Sequence, residues 1–176
     1  MNVDSAGVVI AELLADAMLG KLARWLRLLG YDVRYMQDDD AVIAHTARAE
    51  GRTLLTRDHQ LSERRGLHTV LVQSDRLTDQ LAQVVEAVGR LPAGTPQRCM
   101  ACNAALVAIS VEAARSGVPV YVIETVGSSS DLPFHQCPEC GKIYWKGTHW
   151  QGIEDQLDEA LRDGAVRCIA NKDRAG

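Results

Sequence analysis

An apolar run that ends in a carboxylate constrains this chain more than any other feature. Val8 to Leu14 (V-V-I-A-E-L-L) reads as a buried strand, and Asp16 follows it directly. A helix is expected to begin there. Along it Leu19, Leu22, Ala23, Leu26 and Leu29 recur at offsets of three and four, which gathers them into one buried stripe. Lys21, Arg24 and Arg27 fall on another side and are expected in solvent. Gly30 is placed to end the helix, since glycine takes the left-handed cap conformation without steric cost. The result is an acid at a strand's C-terminal end with a cation-bearing helix beyond it. In an open α/β sheet, ligands bind at that end.

The unit repeats. Tyr31 to Tyr35 alternates like a strand, and Asp38, Asp39 and Asp40 crowd the start of a helix running to Glu50 and closed by Gly51. Thr53 to Thr56 is a short strand that delivers Asp58, followed by a helical turn at Leu61 to Arg65. Thr69 to Val72 is a fourth strand with Asp75 just beyond it. Thr78 then caps a helix whose buried face is Leu81, Val84, Val85 and Val88, and Gly89 stops it. Alternating strands and helices predict an α/β fold with a parallel sheet flanked by helices. A parallel sheet has all strand C-termini on one edge, so Asp16, Asp40, Asp58 and Asp75 can converge.

Aspartates gathered at one edge repel unless a cation neutralises them. An all-oxygen cluster suits Mg²⁺ or Mn²⁺, which can activate water and stabilise charge on a phosphodiester under attack. Each acid also has a plainer role. Asp40 can serve as a helix N-cap, Asp75 as a turn residue, and Asp58 can pair with Arg57 or Arg52; Asp38 and Asp39 are expected in solvent. Asp16 is hardest to explain away, because a carboxylate ending an apolar strand is costly without a partner. Lys21, Arg24 and Arg27 form either a solvated helix face or contacts that position phosphates.

Leu91 to Arg98 (L-P-A-G-T-P-Q-R) reads as a linker. Beyond it lie Cys99-x-x-Cys102 and Cys137-x-x-Cys140, separated by 34 residues. Two such pairs predict a tetrahedral Zn²⁺ site, and four thiolates leave no open position, so the zinc is structural. Cys168 falls outside the pattern, and His135 is expected at the surface. Between the pairs we expect a helix near Val111 to Arg115, a strand at Pro119 to Ile123 and a polar loop at Gly127 to Asp131. Trp145, Lys146, His149 and Trp150 interleave aromatics with cations, which suits either a nucleic acid strand or packing on the first region. A last amphipathic helix is expected from about Ile153 to Leu161. The expected division is therefore 8–90, a linker at 91–98, a zinc ribbon at 99–150 and a helix with polar tail at 151–176.

In order, D-A-M-L-G-K-L-A-R-W-L-R-L-L-G-Y-D, D-D-x-x-I, G-R-T-L-L-T-R-D, the two C-x-x-C pairs and Y-W-K-G-T-H-W resemble the Mut-seven C-terminal domain family. That resemblance spans roughly residues 10 to 150. It implies a PIN-like ribonuclease domain joined to a zinc ribbon. By position it assigns Asp16 to the first-strand acid, Asp40 (or its neighbour Asp39) to the second and Asp58 to the third, with Asp75 as a candidate fourth. The activity it implies is metal-dependent RNA hydrolysis; our expectation from the residues is an endoribonuclease, with Lys21, Arg24, Arg27 and Arg57 toward phosphates.

The net charge of −4 argues against a uniformly basic nucleic-acid binder but leaves room for a local patch. From Asp16 to Arg65 there are nine Lys/Arg against eight Asp/Glu. With no apolar run of 18 residues no membrane span is expected, and with an N-terminus lacking the basic start of a signal peptide the cytoplasm is the expected location, where paired cysteines read as metal ligands. The competing expectation is a non-catalytic RNA- or ribosome-binding zinc protein, or one that docks on another RNA-associated protein.

Overall fold

The computed structural model describes residues 2–3, 9–92, 94–126 and 134–145, with Asp155 and Asp158. Two short strands, β1 (Asn2–Val3) and β2 (Val9–Ile10), pair antiparallel ahead of the main sheet. The apolar run thus divides: only β3 (Glu12–Ala15) enters the main sheet. A 3₁₀ turn at Ala17–Leu19 leads into α1 (Gly20–Leu28). Then come β4 (Asp32–Tyr35), α2 (Asp40–Glu50), β5 (Thr53–Thr56), α3 (His59–Ser62), β6 (Thr69–Leu71) and α4 (Leu77–Val88).

The four main strands are parallel, in the order β4-β3-β5-β6. Both faces of this sheet are covered, which is why the central strands β3 and β5 are mainly apolar runs, whereas the edge strand β4 alternates. Leu13, Ala15 and Leu55 point toward α1 and α4, joining Leu22, Leu26, Leu81 and Val84. Leu14 and Leu54 point the other way, toward Ile43, Ala47 and Leu61 of α2 and α3. Each fully buried leucine contributes about 1.5–3 kcal/mol.

Some boundaries differ from expectation. The short helix sits at His59–Ser62, not Leu61 to Arg65, because Asp58 caps it through Gln60 N and Leu61 N. Helix α4 starts at Leu77, with Arg76 at the cap position, so Thr78 lies inside it. Gly30 ends α1 with φ +102°, and a Cβ there would lie 3.0 Å from Thr95 Cγ2 and 3.2 Å from the Pro96 carbonyl. The 91–98 segment is therefore packed against the end of α1.

The cysteine half contains β7 (Val107–Ile109), α5 (Val111–Ala114), α6 (Val120–Val126), β8 (Phe134–Gln136) and β9 (Ile143–Trp145). The strands form an antiparallel sheet in the order β7-β8-β9. The expected strand at Pro119 to Ile123 is a helix. Its β-branched residues suit a strand, but Val122, Ile123 and Val126 pack on Phe134 at helical spacing while Val120 and Tyr121 face solvent. Pro119 begins the turn, its carbonyl accepting from Val122 N and Ile123 N. The loop expected at Gly127 to Asp131, the C-terminal helix, Cys168, Lys146, His149 and Trp150 lie outside the described residues, apart from Asp155 and Asp158.

Candidate active site and cysteine metal centre

In sequence order the parallel strands run 2-1-3-4, so the chain reverses direction across the sheet between β3 and β5. In open α/β sheets ligands bind at such a switch point, outside the strand C-termini. Asp16 follows β3 and Asp58 follows β5, which places these two acids on its two sides.

Asp16 is 5% exposed. Its Oδ1 accepts from Met18 N at 3.0 Å, and its Oδ2 accepts from the Thr56 hydroxyl at 2.5 Å. Thr56, fully buried, also accepts from Asp58 N at 2.9 Å through the same Oγ1. One hydroxyl thus ties both acids to the end of β5. Asp58 Oδ1 accepts from Gln60 N and Leu61 N at 2.7 and 3.0 Å. Neither Asp16 nor Asp58 has a cationic partner among the described residues. Tyr35 steadies the loop from the other side, donating to the Ala17 carbonyl at 3.0 Å. Its ring lies so close to Gly20 that a Cβ there would come within 3.1 Å.

The other predicted residues are distributed around this pair. Asp40 is exposed in the first turn of α2, with Asp39 at the cap position, and pairs with Arg64 at 3.5 Å. Asp75 pairs with Arg57 at 2.6 Å. Lys21 is exposed, and exposed Arg24 turns its Nε back to the Gly20 carbonyl at 3.1 Å. Trp145 is 36% exposed on β9. Asp16, Asp40 and Asp58 do not bring three ligand oxygens within 4.8 Å of one another, whereas the four cysteines do so with their sulfurs, alone among the described residues.

Arg27 is not solvated as expected. It is 7% exposed, donating from Nε to the Val33 carbonyl at 2.9 Å and from Nη1 to the Met100 carbonyl at 2.8 Å. The first cysteine turn covers the last turn of α1 while Lys21 and Arg24 stay exposed, so Arg27 is not available for RNA contact.

Two matching turns build the metal centre. In one, Asn103 N donates to the Cys99 carbonyl at 2.9 Å, and Cys99 N to the Ala104 carbonyl at 2.8 Å. In the other, Gly141 N and Cys137 N make the equivalent bonds, to Cys137 and Lys142 carbonyls, at 3.0 and 2.9 Å. The sulfurs approach as Cys99–Cys140 at 3.5 Å and Cys102–Cys137 at 3.4 Å. Tetrahedral zinc with Zn–S near 2.3 Å sets sulfurs about 3.8 Å apart, so the cluster fits a structural zinc ion with small adjustment. Tyr144 Oη lies 3.1 Å from Cys99 Sγ. Burial pushes the Cys99 thiol up, but hydrogen bonds from Tyr144 and from the Cys102 and Ala101 backbone outweigh it, so Cys99 ionises at about 6.

Sequence reasoning missed Thr56, Tyr35, Asn103 and Tyr144. The T-R-D motif held the signal for Thr56, whose hydroxyl lies two residues before the acid; the others depend on contacts from distant segments.

A parallel sheet flanked by helices, joined to a four-cysteine cluster that fits structural zinc, defines an α/β protein with a zinc-ribbon-like centre. The Mut7-C RNAse domain model matches residues 11–157, and the chain belongs to that family. A ribonuclease-like function with RNA as substrate follows from membership. No curated protein and no solved structure matches the chain. Among the described residues, no helix is long and apolar enough to cross a membrane.

Proposed function

We propose that the protein is a metal-dependent endoribonuclease whose site is the Asp16–Thr56–Asp58 edge. The observation that carries this is the state of Asp16: a carboxylate nearly removed from water, held by two neutral donors and, among the described residues, by no cation. Burying a carboxylate is costly unless partners compensate it, and a cation adds to what two hydrogen bonds supply. Its position at the sheet's switch point, beside a second acid without an ion pair, suits Mg²⁺ or Mn²⁺. A divalent ion bound there supplies an activated water and stabilises charge on the scissile phosphate.

The chain's own groups do the remaining work. Asp16 and Asp58 would hold the ion, with Asp40 at the start of α2 as the further candidate carboxylate. Thr56 fixes the orientation of Asp16 through its hydroxyl. Lys21 and Arg24 contact flanking phosphates, and Arg57, oriented by Asp75, does the same from the end of β5 at the same sheet edge. Trp145, with Lys146, His149 and Trp150, extends the substrate contacts.

The test is cleavage of a mixed single-stranded and structured RNA pool with Mg²⁺, Mn²⁺ or EDTA, comparing wild type with Asp16→Asn. We expect metal-dependent cuts in wild type and a loss of at least about a hundredfold in the variant, which still folds cooperatively. Equal cleavage by Asp16→Asn would remove Asp16 from the site. RNA binding by both proteins without cutting would instead favour a non-catalytic RNA-binding role.

A further inference from the structure

The two cysteine turns differ at one position. Gly141 follows the second pair with φ +73°, whereas Asn103 follows the first with φ +70°, the one non-glycine residue with positive φ among those described. Asparagine tolerates that conformation less well than glycine does. Its side chain shows what it gains. Asn103 Oδ1 accepts from Val33 N at 3.1 Å, and its Nδ2 donates to Asp32 Oδ1 at 3.0 Å.

Val33 lies on β4, the edge strand of the parallel sheet, with its N–H and C=O both turned away from β3. Open edges expose such groups to unwanted pairing. Here Asn103 takes the N–H and Arg27 takes the C=O. The same Arg27 reaches the Met100 and Ala101 carbonyls inside the first cysteine turn, and its own carbonyl accepts from Arg98 N at 2.8 Å. Arg98 in turn donates to the Asn103 carbonyl at 2.9 Å and pairs with Asp32 at 3.3 Å. The metal turn is thus bolted to the sheet edge by side chains from both halves.

We infer that Arg27 and Asn103 make the cysteine metal centre and the edge of the parallel sheet one thermodynamic unit, so that zinc binding and the order of β4 strengthen each other. A divalent ion with four thiolates carries a net charge of about −2, and a buried guanidinium beside the turn offsets it. Groups that orient a metal site in this way are worth about 10–100-fold in affinity. Linkage is reciprocal: whatever the docked edge contributes to zinc binding, zinc returns to the edge. This inference does not depend on catalysis.

Asn103→Gly is the decisive variant, because glycine suits φ +70° and leaves the turn itself unstrained. Zinc affinity of the full-length protein, measured by competition with a chromophoric chelator, is expected to fall about tenfold or more in Asn103→Gly, with a comparable or larger loss in Arg27→Met. Arg24→Met, on the exposed side of the same helix, is expected to keep wild-type affinity. Hydrogen exchange gives the reciprocal reading: stripping zinc from wild type should accelerate exchange of the Val33 amide more than that of the Leu55 amide in the sheet centre. Wild-type zinc affinity in Asn103→Gly would overturn the inference. So would a Val33 amide equally protected with and without zinc. Arg27→Met alone could fail by misfolding, which is why Asn103→Gly carries the test.

Discussion

Replacing Thr56 by valine keeps the side-chain shape and removes only the hydroxyl that joins the two acids. The Thr56–Asp16 bond is charge-assisted and buried, worth about 1.5–3 kcal/mol, and the bond from Asp58 N adds about 1 kcal/mol. The new methyl recovers at most about 0.8 kcal/mol, and less against a carboxylate. The net cost is about 2 kcal/mol. For a chain of 176 residues, that lowers the melting temperature by about 4–8 °C, which calorimetry resolves easily. Thr56→Ser keeps the hydroxyl and should lose only the methyl's share, about 1 kcal/mol. In a double-mutant cycle, Thr56→Val and Asp16→Asn should be clearly non-additive, since they remove the same bond. A valine variant as stable as the serine variant, or additive costs in the cycle, would refute the claim that this hydroxyl holds Asp16. On the proposed reaction, Thr56→Val should also lower cleavage by about tenfold or more, because a carboxylate that can rotate no longer presents a fixed ligand.

Two further perturbations probe the scaffold. Burial alone would raise the Asp32 carboxyl, but hydrogen bonds from Arg52 and Asn103, with the charges of Arg52 and Arg98, bring it below its ordinary 3.8. A depressed folded value means stability present above that ordinary value and lost as pH falls through the folded one. Wild type should therefore lose stability below about pH 4, while Asp32→Asn should be less stable by about 3 kcal/mol at neutral pH and flatter in acid. Denaturant midpoints running parallel down to pH 2 would contradict this. Gly30→Ala should cost at least about 1–2 kcal/mol from its positive φ, with more from the contact on the Pro96 carbonyl. A melting temperature within about 1 °C of wild type would show that the 91–98 segment yields freely.

Strand–helix alternation predicts a parallel sheet, and a parallel sheet has one C-terminal edge. Asp16 and Asp58 were therefore legible as neighbours of a common edge, and the four cysteines as a common site, because each inference needs only local pattern and spacing. Helices α1, α2 and α4 were likewise legible from periodicity and from glycines after their last turns. Misreading α6 as a strand shows the limit: β-branched residues favour strands on average, but the Phe134 surface they pack against is supplied from outside the segment.

Strand order and the fate of Arg27 belong to the tertiary structure. Periodicity counts Arg27 among the cations of a wet face, since within α1 it lies off the leucine stripe. Its partner carbonyls at Met100 and Ala101 are 73 and 74 residues away, beyond the reach of any local pattern. Likewise, no local signal states that β3 and β5 are adjacent, and only that adjacency lets Thr56 bond Asp16 across 40 residues of chain. Sequence by itself determined the strand–helix alternation of the first half and the glycines that end its long helices, because those are set by short-range sterics and by the side chains one element buries. Tertiary structure decided which ends meet and which charges are covered, because those depend on contacts that exist only once separate elements have packed.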